Sequence, residues 1–203
     1  MGARLSLRDG IRKSFMDHAG TLRSILSADP ERMRILTLPR ALGLPDCWVA
    51  AGFVRSAVWD FRHGRPPSRS FDDVDVTWFD PLRADHSYEV MMEAALKAMD
   101  GSVRWSVKNQ SGMHTRNGDA PYASATDAMR YWPETATAVA VRVTEAGAIE
   151  IAAPFGLEDV FALIVRPTPH FIKAGKREIY QERLRREHWL MAWPRLRCAM
   201  DDP

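Results

Sequence analysis

Cysteine is scarce in this chain: Cys47 and Cys198 are the two thiols among 203 residues. Two isolated thiols make neither a disulfide framework nor a zinc site, and the six histidines show no zinc-ligand spacing. Long apolar runs are missing too. No stretch approaches the roughly 20 residues that span a bilayer. The charged N-terminus lacks the apolar segment of a secretory signal. The expectation is a cytoplasmic protein without a membrane partner. Neither sign of charge dominates. A net charge of +2 and a pI near 8.7 suit an anionic ligand but fall short of the basic stripe that long nucleic acids recruit. No RNA-binding module is recognisable, and there is no internal repeat or low-complexity tract.

What is present is an ordinary core-forming composition, 46% hydrophobic and 27% charged, enough for one domain with a small appendage. Ser6 and Asp9 cap an expected helix over 6–27. A short helix opens at Pro30, and Pro39 and Pro45 bracket a loop. Residues 47–51 read as a buried strand, and 53–63 have helical spacing. Residues 73–79 alternate, with Val74, Val76 and Trp78 on one side and Asp73, Asp75 and Thr77 on the other. A helix over 87–99 presents Val90, Met91, Ala94, Ala95 and Ala98 as its apolar positions. Val103, Trp105 and Val107 mark a third strand. Residues 136–143 and 148–152 form a hairpin. A short apolar helix covers 157–165, and a terminal one about 176–192, its many Arg and Glu residues on a solvated face. Strands interleaved with helices give an α+β or α/β class. The expected division is a helical extension over 1–29 and a domain over 30–203.

Chemistry concentrates between Ala51 and Asp80. A strand runs into Gly52 and a helix begins at once, so backbone N–H groups and an open glycine can meet a phosphate. The next strand projects Asp73 and Asp75 from one face. Two hard oxygen ligands at that spacing suit Mg²⁺, which also takes phosphate oxygens and water. Arg55 opens the helix and can reach either a triphosphate or a carboxylate. Arg62, Arg65 and Arg69 flank the following loop. Lys108, Asn109 and Gln110 end the third strand as a dense set of donors, fit for nucleotide or acceptor recognition or for bracing a loop. His114 reads as structural, with assistance to those donors as its alternative; most of the seven tryptophans read as core; and Glu134 reads as a surface or capping residue, with reach into the pocket as its alternative.

Gly52-Phe53-Val54-Arg55, then Gly64-Arg65, then Asp72-Asp73-Val74-Asp75-Val76 resembles the opening of the DNA polymerase beta nucleotidyltransferase superfamily, which includes tRNA nucleotidyltransferases. A bacterial family of small nucleotidyltransferase-like proteins is a closer match. With it the chain shares Trp59-Asp60, Phe79-Asp80, Val107-Lys108-Asn109-Gln110 with His114, and Trp132-Pro133-Glu134-Thr135-Ala136. It also shares Ala153-Pro154-Phe155-Gly156-Leu157 with Asp159, Val165-Arg166-Pro167 and Trp193-Pro194-Arg195. The similarity runs over about 30–197. It implies a short mixed sheet backed by helices, a triphosphate cradled at Gly52, and Mg²⁺ (Mn²⁺ as the alternative) on Asp73 and Asp75. It also implies a third carboxylate from a later strand, Glu150 by strand position or else Asp159. Ala51 stands where the wider superfamily usually has glycine.

The implied reaction moves a nucleoside monophosphate from a nucleoside triphosphate to a hydroxyl on a small molecule, a protein side chain or RNA. The alternatives are a nucleotide-binding module that has lost catalysis and a protein-interaction module with the same fold.

Overall fold

The computed structural model describes residues 17–68, 73–173 and 175–199. The expected start of the first helix, and its Ser6–Asp9 cap, lie outside these residues. Helix α1, His18–Ser27, is capped by Asp17, whose carboxylate accepts from the Gly20 N–H at 2.8 Å. Its Leu22 and Leu26 are fully buried in the main core. Helix α2, Pro30–Thr37, has proline in its first turn, as expected, and Asp29 as its cap.

Five strands make the main sheet: β1 (Trp48–Ala50), β2 (Val74–Trp78), β3 (Trp105–Asn109), β4 (Ala140–Val143) and β5 (Ile149–Ala152). Their order is β3-β2-β1-β4-β5. Only β2 and β3 run parallel. This is the mixed α+β architecture expected from the sequence. Paired residues share a face, so the register sorts the side chains. Val49, Val76, Val107, Val141 and Ile151 face one way, and all but the half-buried Ile151 are buried under the helices of the main core. Trp48, Ala50, Asp75, Thr77, Ser106, Ala140, Arg142 and Glu150 face the other. Ala50 and Ala140 there join Ala125 and Met129 in a smaller core.

Helix α3, Gly52–Arg62, follows β1 without a loop and buries seven residues. Helix α4, His86–Met99, overturns one expectation. Val90 and Met91 are 55% and 53% exposed, whereas Glu89 and Leu96 are buried. The reason lies in the neighbouring edge strand. Glu89 accepts from the Asn109 N–H at 2.7 Å, and Glu93 from the Val107 N–H at 3.3 Å. Two carboxylates thus satisfy backbone donors that an edge would leave open, and they turn the helix so that Tyr88, Met92 and Leu96 pack inward.

Short helices α5 (Met113–Asn117) and α6 (Ala125–Ala128) follow β3, and Ala125 of α6 packs into the smaller core on the second face of the sheet. The apolar helix expected over 157–165 is shorter, α7 at Glu158–Phe161. Leu163 then takes a φ of +60° and the chain enters strand β6, Ile164–Val165. After α8, Pro169–Lys173, the expected terminal helix is two, α9 (Arg177–Arg186) and α10 (Trp189–Ala192), broken at His188 with φ +50°. Strand β7, Arg197–Cys198, returns parallel to β6. No helix among the described residues is long and apolar enough to cross a membrane.

Candidate active site

A cleft of about 810 Å³ opens where β1 meets α3. One wall carries Asp73 and Asp75. The floor is Ala51, Gly52, Arg55 and Ser56. The far wall comes from α9 and α10 through Arg183, Arg186, Glu187, His188 and Trp189. Asp75 lies beside Ala50 of β1 and Ser106 of β3 in the sheet register. Burial, and then the neighbouring Asp73 charge, push the Asp75 carboxyl above its ordinary value of 3.8. A hydrogen bond with Ser106 and the charges of Arg55 and Arg183 act against that rise. The carboxylate pair therefore has an electrostatic deficit that a cation would relieve.

The backbone at the strand–helix junction carries strain at Ala51, not at Gly52. Ala51 has φ +53° and ψ −121°, a region that glycine tolerates and a Cβ does not. Its N–H is fixed by the Val139 carbonyl at 2.9 Å, and its carbonyl accepts from Val54 and Arg55. A Cβ built on Gly52 would meet only an Arg55 nitrogen, at 3.7 Å, so glycine there keeps the floor low and open. Ala51→Gly is expected to stabilise the protein by about 1 kcal/mol net, because relief of the strained φ exceeds the added freedom of the unfolded chain. Thermal denaturation checks this, and an unchanged or lower melting temperature contradicts it.

Arg55 is buried. Its Nη1 donates to Thr137 Oγ1 at 2.7 Å, and its guanidinium lies 4.2 Å from the Trp189 ring centroid and 4.9 Å from that of Trp59. Burial lowers it to about 10, opposed first by the Glu134 charge. Asp60, also buried, accepts from the Ser68 N–H and from Trp193 Nε1, both at 2.9 Å. Two motifs far apart in the chain, Trp59-Asp60 and Trp193-Pro194-Arg195, therefore close on each other. Arg195 continues the clasp, donating from Nη1 to the Arg62 carbonyl at 2.6 Å. Arg65 donates to the Ala192 carbonyl.

The structure brings Asp73, Asp75, Gly52 and Arg55 together. It does not bring the other expected residues to them. Glu150 does face the same side of the sheet as Asp75. It sits on β5, three strands away and one pleat along, with its carboxylate 2.6 Å from Arg142 Nε. It borders a different cavity, of about 640 Å³, with Trp48 and Arg142. Asp159 accepts from Thr135 Oγ1 and Arg166 Nε at 2.6 and 3.0 Å, away from the cleft. Lys108, Asn109 and Gln110 close the C-terminal end of β3, whereas Asp73 precedes the N-terminal end of the parallel β2. Lys108 pairs with Glu89 at 3.7 Å. The Asn109 amide donates to the Asp80 and Arg83 carbonyls, both at 2.8 Å, and accepts from the Ser111 N–H. Gln110 donates to the Lys108 carbonyl. These three brace a loop. Glu134, expected at the surface, is fully buried against Arg183.

The residues missed in the sequence are Arg183, Arg186, Glu187 and His188. Their helix reads as solvated because arginines and glutamates surround it. Only the break at His188, without a proline or glycine to announce it, turns that stretch into a wall. Among the described residues no group of three or more His, Cys, Asp or Glu side chains could hold a metal. Among the described residues lining the cleft, the adjacent pair Asp73 and Asp75 supplies the carboxylate donors. Two carboxylates completed by phosphate oxygens and water are a normal Mg²⁺ environment, so the residues fit such an ion.

A family model described as Nucleotidyltransferase matches residues 37–198. Among solved structures, one determined by NMR and described as a CCA-adding enzyme head domain superposes with a TM-score of 0.80 at 36% identity. It covers 89% of this chain and 95% of that one. A CCA-adding enzyme in complex with CTP aligns at a TM-score of 0.54 and 13% identity, over 88% of this chain and 43% of that one. The Thermotoga maritima CCA-adding enzyme complexed with tRNA aligns at 0.53 and 14%, over 88% and 42%. At such identities these two show a shared fold, and this chain spans less than half their length. No curated protein matches the chain.

Proposed function

The chain belongs to the nucleotidyltransferase family, and from that premise we propose that it moves a nucleoside monophosphate from a nucleoside triphosphate to a hydroxyl acceptor, releasing pyrophosphate. The observation that carries this reading is the Asp73–Asp75 pair facing a cleft whose opposite wall is lined with arginine. Asp73 and Asp75 would hold Mg²⁺ or Mn²⁺. Such an ion supplies charge neutralisation on the phosphates and activation of the attacking oxygen. Arg55, Arg183 and Arg186 offset the rest of the polyphosphate charge and hold it in place. The Ala51–Gly52 turn lets backbone approach the phosphates. The acceptor is a small molecule, a protein side chain or an RNA end. The tRNA held by the Thermotoga maritima enzyme favours including RNA in that set.

A specific observation supports a second reading, a nucleotide-binding protein without transfer. The sheet positions flanking Asp75 are Ala50 and Ser106, neither able to act as an acid or base at neutral pH, and Glu150 and Asp159 are engaged elsewhere. Calorimetric titration of each nucleoside triphosphate, with and without Mg²⁺, tests the common premise. Wild-type protein is expected to bind in a magnesium-dependent manner and the Asp73→Ala/Asp75→Ala double variant is not. Absence of binding to every triphosphate would sink both readings. Pyrophosphate release during an acceptor screen then separates transfer from binding alone.

A further inference from the structure

The segment 134–137 holds two of the arginines that line the cleft, the buried Arg55 and the half-buried Arg183. Glu134 Oε1 accepts from Arg183 Nε at 2.7 Å. Thr137 Oγ1 accepts from Arg55 Nη1 at 2.7 Å. The Glu134 side chain is 0% exposed and that of Arg183 25%, so the arginine reaches from a buried anchor to the cleft edge. Its other side donates from Nη1 to Glu187 Oε1 at 2.8 Å. The anchor is itself rigid. The Glu134 carbonyl accepts from the N–H groups of Thr137 and Ala138 at 3.1 and 3.0 Å, and Glu134 bridges to Pro167. Glu134 Oε2 has no hydrogen-bond partner among the described residues, and its charge is the strongest opposing influence on the depressed Arg55. One fully buried carboxylate thus holds the Arg183 guanidinium, and the same segment holds Arg55 through Thr137. A charge so costly to bury fixes the guanidinium of Arg183, which lines the cleft.

We propose that Glu134 is a positioning residue for the phosphate-binding Arg183: it fixes that guanidinium by a direct hydrogen bond and so sets affinity for the polyphosphate of the nucleotide. This inference rests on the reading of the cleft as a nucleoside triphosphate site. Glu134 touches no substrate and acts through Arg183. Thr137 plays the accompanying part for Arg55, accepting the hydrogen bond that orients it across the Trp189 ring.

A double-variant cycle with CTP and Mg²⁺ as the probe tests it. Glu134→Gln keeps the shape and removes the charge; Arg183→Met keeps the stem and removes the guanidinium. Each is expected to raise the Kd roughly tenfold, the worth of one charge-assisted hydrogen bond. The combined variant should bind no worse than Arg183→Met within about a factor of two, because Glu134 has then lost the group it positions. A merely structural Glu134 would multiply the two losses, and that result overturns the proposal. So does a folded Glu134→Gln that binds as wild type does. Should Glu134→Gln not fold, Glu134→Asp retains the charge but withdraws it by a methylene. It is expected to lose affinity by a similar factor, and wild-type affinity there also overturns the proposal. Wild-type protein that binds no triphosphate brings down the site reading and this inference together. Wild-type binding with an indifferent Glu134 removes this inference alone.

Discussion

Asp75→Asn is expected to lower nucleotidyl transfer by at least about 10³-fold, since ion-mediated stabilisation of the transition state is worth several kcal/mol and each decade of rate is 1.36 kcal/mol. The same substitution is expected to raise the melting temperature of the free protein. Asn keeps the volume and can still hydrogen-bond Ser106, but it carries no charge to desolvate beside Asp73. The pH dependence has a definite sign. The native Asp75 carboxyl holds its proton to higher pH than the ordinary 3.8 of the unfolded chain. Between those two values the native state binds the extra proton, so its stability falls as pH rises from 3.8 through the higher native value. Above that window the free wild type bears the full cost of the charged pair, and added Mg²⁺ should restore the loss. Melting curves across this range, with and without Mg²⁺, would show a wild-type slope that Asp75→Asn lacks. Transfer that survived the substitution would remove the aspartate pair from the chemistry.

Trp193→Ala is expected to cost about 3 kcal/mol, near the low end for truncating a packed aromatic because the ring is only half-buried. Two separate losses contribute. The Trp193 ring packs edge-on against Trp59, with centroids 5.1 Å apart and planes at 66°. Its Nε1 also donates to Asp60 Oδ1, and Asp60 is only 3% exposed. Trp193→Phe separates them, retaining ring packing and deleting the donor, for an expected cost of about 1–2 kcal/mol. The functional consequence follows from position: α10 lies between Trp193 and the arginines of α9, and α10 is tied to the body at Trp193 and at Arg65. Loosening that tie should weaken triphosphate binding and speed amide exchange in α10 while leaving the sheet protected. Denaturant unfolding and hydrogen exchange read both effects. Unchanged stability in Trp193→Ala would mean that the Trp-Pro-Arg segment does not close the cleft.

The sequence by itself determined the local parts of this protein. Period-two alternation over 73–79 set Asp73 and Asp75 on the face opposite Val74 and Val76, because strand geometry alone dictates it. The break after β1 and the immediate helix were legible at Gly52, as was the proline that opens α2. The α+β class followed from the same local periods. Residue order also carried the family resemblance, through motifs that later prove to touch: Trp59-Asp60 with Trp193-Pro194-Arg195, and Glu134 with Pro167.

Everything that depends on two distant segments was decided only by the tertiary structure. Glu150 has the right face by alternation, yet pairing through β1 and β4 places it three strands from Asp75, and register is a property of partners and not of one strand. Arg183 reads as a solvated charge until Glu134, 49 positions earlier, buries its inner end. Arg55 meets Thr137 across 82 positions, and Asp60 meets Trp193 across 133. The outward turn of Val90 and Met91 had the same origin. The unpaired N–H groups of β3 required the carboxylates of Glu89 and Glu93, and backbone hydrogen bonding at an edge outweighed the apolar count along the helix. Short-range periodicity therefore determined the acid pair. Arg183 of the basic wall is held in place by a long-range contact, its hydrogen bond to the fully buried Glu134.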